Sequence, residues 1–184
     1  MTNSFSDTLR EASEFFAKRG RIYDTLDNVT RRLGDEGIEY AVIGALALVA
    51  HGYERFTIDV DLMTTSDGLD AVHERLVGHG YSVITRKRLL DLRTEVNIDF
   101  IVASELPEVV KIDGYNIIAL PKLVELKIVC GRQLAWLKHL ADVQELIKAI
   151  KPPRDFGAQL DPSVRDEYYR IWDASQVIHD PSAS

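Results

Sequence analysis

The chain has 184 residues, of which 46% are hydrophobic and 28% are charged, and its formal net charge is −7. This composition is typical of a globular domain with a sizeable core, and its acidic balance argues against general DNA binding, which normally uses a basic surface. The single cysteine, Cys130, excludes an intramolecular disulfide. The N-terminus lacks the apolar segment of a secretion signal, and the longest mostly apolar stretch, 38–50, is too short to cross a bilayer. We therefore expect a cytoplasmic protein without membrane association.

The first part of the chain predicts helices followed by two short strands. Ser6 is the expected N-cap of a helix that reaches residue 19, and a second helix follows from Ile22, so that 6–34 forms a helical extension. A buried strand at 40–43 leads through Gly44 into a helix of small residues that ends at 51–52. The next strand is predicted at 57–63.

The middle of the chain alternates between helix and strand. A helix capped by Ser66 ends at two glycines, and the strands that follow are predicted at 81–85, 94–102 and 116–119. Residues 89–92 are expected to form a hairpin connection. The basic cluster beside them, Arg86-Lys87-Arg88 with Arg93, is interpreted as a solvated loop or the tip of an edge strand, with a local nucleic-acid site as the alternative.

The last part of the chain predicts helices alone. These are a helix starting at Pro121, a helix with one apolar stripe, and a helix at 162–177 followed by a frayed tail at 179–184. The stripe consists of Trp136, Leu140, Val143, Ile147 and Ile150. The order of elements predicts an α/β or α+β fold with a mixed β-sheet, flanking helices and a helical C-terminal part. We expect a single domain over 1–184.

Three aspartates lie on predicted strands, two in Ile58-Asp59-Val60-Asp61-Leu62 and one in Val96-Asn97-Ile98-Asp99-Phe100. Alternate side chains of a strand share a face, so Asp59 and Asp61 lie on one face with Cα atoms roughly 6.6 Å apart. Gathered carboxylates repel one another unless a cation neutralises them, and their hard oxygen atoms suit Mg²⁺ or Mn²⁺. The pattern predicts metal-dependent phosphoryl or nucleotidyl transfer.

The same aspartates have a simpler interpretation. A half-buried strand that alternates apolar and acidic residues can hold its carboxylates in water without binding any ligand. A calcium-binding EF-hand loop is excluded, because Met63 and Thr64 occupy positions where that loop needs an acidic or amide residue and a glycine.

The pair Gly44-Ala45, followed after thirteen residues by Asp59-Val60-Asp61-Leu62, resembles the signature of the DNA polymerase beta-like nucleotidyltransferase superfamily. The longer runs 43–52 and 55–61 look closer still to a bacterial subgroup of small nucleotidyltransferases and abortive-infection toxins. Leu126-Lys127 and the run 138–143 resemble helical elements of that subgroup. The resemblance covers a motif core at 38–150 and implies a nucleotidyltransferase-like fold.

The resemblance also implies a site and its ligands. Asp59, Asp61 and Asp99 would be catalytic and would bind Mg²⁺ or Mn²⁺, with a nucleoside triphosphate as co-substrate. A glycine between strand and helix lets the backbone approach a triphosphate. The residues expected to bind the nucleotide are Gly44, Ala45, Arg55, Thr57, Lys127, Lys138 and Asp142. The acceptor would be tRNA, a protein or a small molecule, and a toxin-type role would add a cognate antitoxin.

Several alternatives stay open at this stage. Lys127 can equally be a solvated helix lysine, and Lys138 with Asp142 can be an ordinary i,i+4 surface pair. The chain can be a catalytically idle nucleotidyltransferase fold that acts as a binding or regulatory module. A third hypothesis is an interaction protein that docks a partner on the last helix. The apolar residues of that helix are Val164, Tyr168, Ile171 and Trp172.

Overall fold

A computed structural model describes residues 4–132 and 137–176. Trp136 and the tail at 179–184, for which a helical stripe and fraying were predicted, lie outside the described residues. The chain divides into two compact units. The first consists of Met1–Val49 and Glu54–Ile118, and the second of Ala50–Tyr53 and Ala119–Ser184.

The first unit contains a seven-stranded mixed sheet in the order β3-β4-β5-β2-β1-β7-β6. Its strands are β1 (Ala41–Val42), β2 (Asp59–Thr65), β3 (Tyr81–Thr85), β4 (Arg88–Asp91), β5 (Val96–Ala103), β6 (Val109–Ile112) and β7 (Tyr115–Ile118). Its helices are α1 (Phe5–Phe16), α2 (Arg21–Asp35), α3 (Gly44–Ala50) and α4 (Ser66–Arg75). The pairs β2–β5 and β1–β7 are parallel, and the other pairs are antiparallel. The predicted mixed sheet with flanking helices is confirmed.

Burial of apolar side chains explains why the sheet and α2 form as they do. On β2 and β5 the residues that alternate with the aspartates are buried, so these strands present an apolar face to the core and a face with carboxylates away from it. The stripe of α2 that contacts the sheet is equally buried. The buried residues of these elements include Val60, Leu62, Ile98, Phe100, Ile22, Leu26, Val29 and Leu33.

Two predicted helix caps and one predicted loop were wrong. The cap of α1 is Ser4 rather than Ser6, since its hydroxyl accepts a hydrogen bond from the Asp7 N–H at 3.2 Å. The cap of α4 is Thr65, which accepts from the Gly68 N–H at 3.1 Å. Residues 89–92, expected to be a hairpin connection, mostly belong to strand β4, which pairs with both β3 and β5.

Strand β6 was missed because it has the character of an edge strand. It pairs only with β7 and is mostly exposed, so it has no alternation of buried and solvated residues. Alternation is the main sequence signal of a strand. Pro107 precedes the strand, and the chain re-enters the sheet two residues later at Val109.

The second unit is helical. It contains α5 (Leu120–Gly131), α6 (Lys138–Ile150), a 3-10 helix (Arg154–Gln159) and α7 (Pro162–Ser175). On α7, Val164 and Tyr168 are buried and the Trp172 Nε1–H donates to the Pro152 carbonyl at 3.0 Å. This face packs within its own unit, which removes the main support for a partner-docking helix. Across the residues that the structure describes, no helix combines the length and apolar character needed to cross a membrane.

Candidate active site

Parallel pairing of β2 and β5 brings the three aspartates together. Asp61 lies directly opposite Asp99 in this register, and Asp59 lies opposite Asn97. Residues at matched positions of neighbouring strands point to the same face. Each of the three carboxylates offers an oxygen atom within 4.8 Å of those of the other two, and all three residues are half-buried. The predicted convergence is confirmed, and we call Asp59, Asp61 and Asp99 the acid cluster.

Gly44 packs its backbone directly on the acid cluster. Its φ is +66°, in the left-handed region that favours glycine. A Cβ atom at this position would lie 1.9 Å from Asp61 Oδ2 and 2.8 Å from Asp61 Cβ, closer than atoms approach one another. The neighbouring Ile43 N–H donates to the Asp61 carbonyl at 3.0 Å. The turn between β1 and α3 therefore lies against Asp61 because residue 44 has no side chain.

Thr57 orients the first carboxylate of the cluster. Its hydroxyl donates to Asp59 Oδ1 at 2.6 Å, a short bond to a charged acceptor. Ala45, at the start of α3, is buried, and Arg55 is half-buried. Thr57 thus contacts the acid cluster, whereas binding of the nucleotide by Ala45, Arg55 and Thr57 stays a prediction.

Arg88 is a residue of this site that the sequence interpretation missed. Its Nε donates to Asp99 Oδ1 at 2.5 Å, and its Nη2 donates to Asp99 Oδ2 at 2.6 Å. The pKa of Arg88 is raised by the hydrogen bond and charge of Asp99, and further by the charges of Asp59 and Asp61. The basic run is therefore more than a solvated tip, because its last residue pairs with the acid cluster.

A signal for this contact exists in the sequence. Once 88–91 is recognised as a strand, the short turn after Asp91 fixes an antiparallel hairpin with β5, and Arg88 falls opposite Asp99. Asp91 stabilises that turn, because its carboxylate accepts from the Arg93 N–H at 2.8 Å. The hairpin register, rather than the composition of the basic run, identifies the partner of Arg88.

The second unit contains a buried ion pair. Lys127 on α5 donates to Asp142 on α6 at 2.8 Å, and the two side chains are 3% and 7% exposed. The interpretation of Lys127 as a solvated lysine is wrong, because the ammonium is buried and charge-paired. Lys138, at the start of α6, is exposed. The binding of a triphosphate by Lys127, Lys138 and Asp142 stays a prediction.

The donor set of the acid cluster fits a hard divalent cation. Its members are carboxylates alone, the ligand type that Mg²⁺ and Mn²⁺ prefer. Their oxygen atoms are close enough for one ion to contact several of them. The Asp61 carboxylate occupies the position that a Cβ of residue 44 would take, so glycine at 44 is what allows this carboxylate to lie in the cluster. The residues present therefore match the metal that the nucleotidyltransferase resemblance implies.

Comparison with known proteins supports the fold through structure alone. No protein-family profile matches the chain, and no curated protein matches it in sequence. A crystal structure of ANT(2'')-Ia in complex with adenylyl-2''-tobramycin matches with a TM-score of 0.54 at 11% identity, covering 84% of this chain and 98% of that one. A solution structure of the antibiotic-resistance factor ANT(2'')-Ia matches with a TM-score of 0.53 at 11% identity, covering 81% and 89%. The chain therefore has a nucleotidyltransferase-like fold.

Proposed function

We propose that this protein is a metal-dependent nucleotidyltransferase that moves a nucleoside monophosphate from a nucleoside triphosphate to an acceptor hydroxyl. The observation that carries the proposal is the acid cluster on adjacent parallel strands with the backbone of Gly44 packed against it. Arg88 offsets the charge of Asp99, but a solvated strand face gives no reason for Asp59 and Asp61 to lie beside it or for a glycine turn to fit against Asp61. The nucleotidyltransferase-like fold supports the same class of reaction.

Each residue of the acid cluster has a role in this proposal. Asp59, Asp61 and Asp99 hold Mg²⁺ or Mn²⁺, which when bound offsets their repulsion and neutralises charge on the phosphates and the leaving oxygen. Thr57 fixes the Asp59 carboxylate through its hydroxyl. Gly44 holds Asp61 in place and lets the backbone approach the phosphates. Asp99 serves as a further ligand or as the base that accepts the proton of the attacking hydroxyl.

The remaining nucleotide contacts rest on the family resemblance. It assigns Arg55, Lys127, Lys138 and Asp142 to nucleotide binding, and we propose these roles here. In this role Lys127 would supply positive charge to the phosphates, and Asp142, which accepts from its ammonium at 2.8 Å, would orient it.

The acceptor is proposed as a class, a hydroxyl on tRNA, on a protein or on a small molecule. The structural neighbour ANT(2'')-Ia is bound to adenylyl-2''-tobramycin, which makes aminoglycosides one class of small molecule to test. A cognate antitoxin is the partner that the resemblance to abortive-infection toxins adds. The alternative function is an idle nucleotidyltransferase fold that binds a ligand without transferring any group.

Labelled triphosphates test the proposal. Each of the four NTPs, labelled at the α-phosphate, is incubated with the protein, Mg²⁺ or Mn²⁺, and three acceptor pools: total RNA, a protein extract and aminoglycosides including tobramycin. We expect one pool to acquire label with wild type and with Asp35→Asn, which removes an exposed carboxylate of the same charge. Asp61→Asn should lose the label. Absence of label in every pool, from a protein that binds NTP and metal, would support the idle module instead.

A further inference from the structure

Arg88 forms a bidentate (two-pronged) pair of hydrogen bonds with Asp99 on the neighbouring strand. The two residues are cross-strand partners in the β4–β5 register, and the two bonds, at 2.5 and 2.6 Å, use one carboxylate oxygen each. Parallel bonds between a guanidinium and a carboxylate combine charge with fixed geometry and are among the strongest in proteins. Both oxygen atoms of Asp99 therefore already accept a hydrogen bond from a cation that belongs to the chain.

The location of the guanidinium brings it into competition with any other cation at the site. Asp99 lies opposite Asp61, and its carboxylate oxygen is within 4.8 Å of those of Asp59 and Asp61. A divalent ion bound by all three carboxylates would thus lie next to the positive charge of Arg88, and two cations at such short range repel one another. The Arg88 side chain is 44% exposed, so the guanidinium has solvent into which it can withdraw.

We propose that Arg88 is a built-in competitor of the divalent cation, and that its guanidinium holds Asp99 until the ion displaces it. The inference rests on the proposed function, since it assumes that the acid cluster is the metal site. It assigns Arg88 two effects of opposite sign. Arg88 stabilises the metal-free site by offsetting the repulsion among three carboxylates, and it weakens the binding of the metal to the same carboxylates.

The competing explanation is that Arg88 orients Asp99 for the metal. In that case removal of Arg88 should weaken metal binding, because Asp99 loses the contact that fixes its rotamer. If Arg88 only joins two strands, removal should leave metal affinity unchanged. The direction of the change in metal affinity therefore separates the three roles.

Titration of Mn²⁺ into nucleotide-free protein, followed by calorimetry and by the electron paramagnetic resonance of the free ion, measures that direction. We expect Arg88→Met to lower the dissociation constant for Mn²⁺ roughly tenfold. The free energy of such a change is only a small part of the repulsion between two cations at close range. Arg86→Met is the matched control. It removes the same charge two residues away, from a surface pair with Asp70, and should change the dissociation constant less than about twofold because solvent screens exposed charges.

Two further variants make the result unambiguous. Arg88→Lys keeps the charge but loses the two-pronged geometry, so its affinity should lie between those of wild type and Arg88→Met, and it replaces Arg88→Met as the test if the latter does not fold. Asp61→Asn reports whether Mn²⁺ binds at the acid cluster at all. If wild type binds Mn²⁺ through Asp61 and neither Arg88 variant binds more tightly, the competition is refuted while the proposed metal site stands. If no variant binds Mn²⁺ in an Asp61-dependent way, either in nucleotide-free protein or in the presence of NTP, both are refuted.

Discussion

The two units handle clustered charge in opposite ways. In the first, three carboxylates of like charge are gathered on one face of the sheet, and all remain half-buried. In the second, Lys127 and Asp142 have opposite charges, form a contact of 2.8 Å and are nearly removed from solvent. Opposite charges can compensate each other's loss of hydration, whereas three like charges need cations to offset their repulsion. Arg88, which pairs with Asp99, supplies one positive charge for three negative ones. The acid cluster therefore favours a further cation, while Lys127 and Asp142 balance each other's charge.

The largest expected effect comes from breaking the buried pair. Lys127→Ala removes the ammonium that offsets the charge of the buried Asp142 carboxylate, and removal of one member of a buried ion pair typically costs about 3–5 kcal/mol of stability. Urea unfolding measures the loss. Lys148→Ala on α6, the helix of Asp142, removes an exposed lysine and should change the free energy of unfolding by less than about 0.5 kcal/mol.

A double substitution completes that test. In Lys127→Met with Asp142→Leu both charges are gone and the volume is retained, so most of the lost stability should return. A Lys127→Ala variant as stable as the Lys148→Ala control would contradict the structural role of the pair. Lys127 would then resemble the acid cluster, as a charged group whose role is to bind a ligand rather than to stabilise the fold.

The second-largest expected loss of stability comes from substitution of the glycine beside the acid cluster. Gly44 and Gly37 have nearly the same φ, +66° and +67°, but a Cβ at Gly44 would collide with Asp61 and one at Gly37 would meet no atom within 4 Å. Gly37→Ala should cost about 1–2 kcal/mol for the left-handed conformation. Gly44→Ala should cost about 1–3 kcal/mol more for the forced displacement of Asp61. Thermal melts compare the two, and equal losses would show that the contact with Asp61 is unimportant.

The smallest effect concerns a carboxylate stabilised by hydrogen-bond donors rather than by a cation. Asp161 caps α7, and hydrogen bonds from the side chain and backbone N–H of Ser163 lower its pKa. Because the folded pKa lies below the unfolded one, the stabilisation is complete above about pH 4 and is lost as the pH falls through the folded value. Asp161→Ala should therefore melt at a lower temperature than wild type at pH 6, and the difference in melting temperature should become smaller below about pH 4.

Asp161→Asn separates capping from charge in the same melts. The amide oxygen still caps the helix but does not titrate, so this variant should retain much of its stability at both pH values. A difference between wild type and Asp161→Ala that is independent of pH would show that the carboxylate charge contributes nothing at this cap.

Alternation is local, so the sequence predicted which face each aspartate takes: Val60 and Leu62 face the core and Asp59 and Asp61 face away from it, and the same logic applies to Asp99. That the three meet depends on the pairing of β2 with β5, which alternation does not contain and which the family resemblance supplied. Arg88 was missed because its partner depends on a hairpin register, and a basic run resembles a solvated loop until β4 is recognised. The burial of Lys127 was missed because its partner lies fifteen residues away on another helix, and helical periodicity contains no information about contacts between helices.

The most direct test of the central claim is the effect of Mg²⁺ on the thermal stability of wild type and Asp61→Asn. If the acid cluster is a metal site, Mg²⁺ should raise the stability of wild type by an amount that approaches ~2.7 kcal/mol when the ion is a hundredfold above its dissociation constant. Asp61→Asn should lose most of this gain, and Asp35→Asn should keep it. A wild-type protein whose melting temperature is indifferent to Mg²⁺, with and without NTP, would contradict the account and leave the three carboxylates as a solvated strand face.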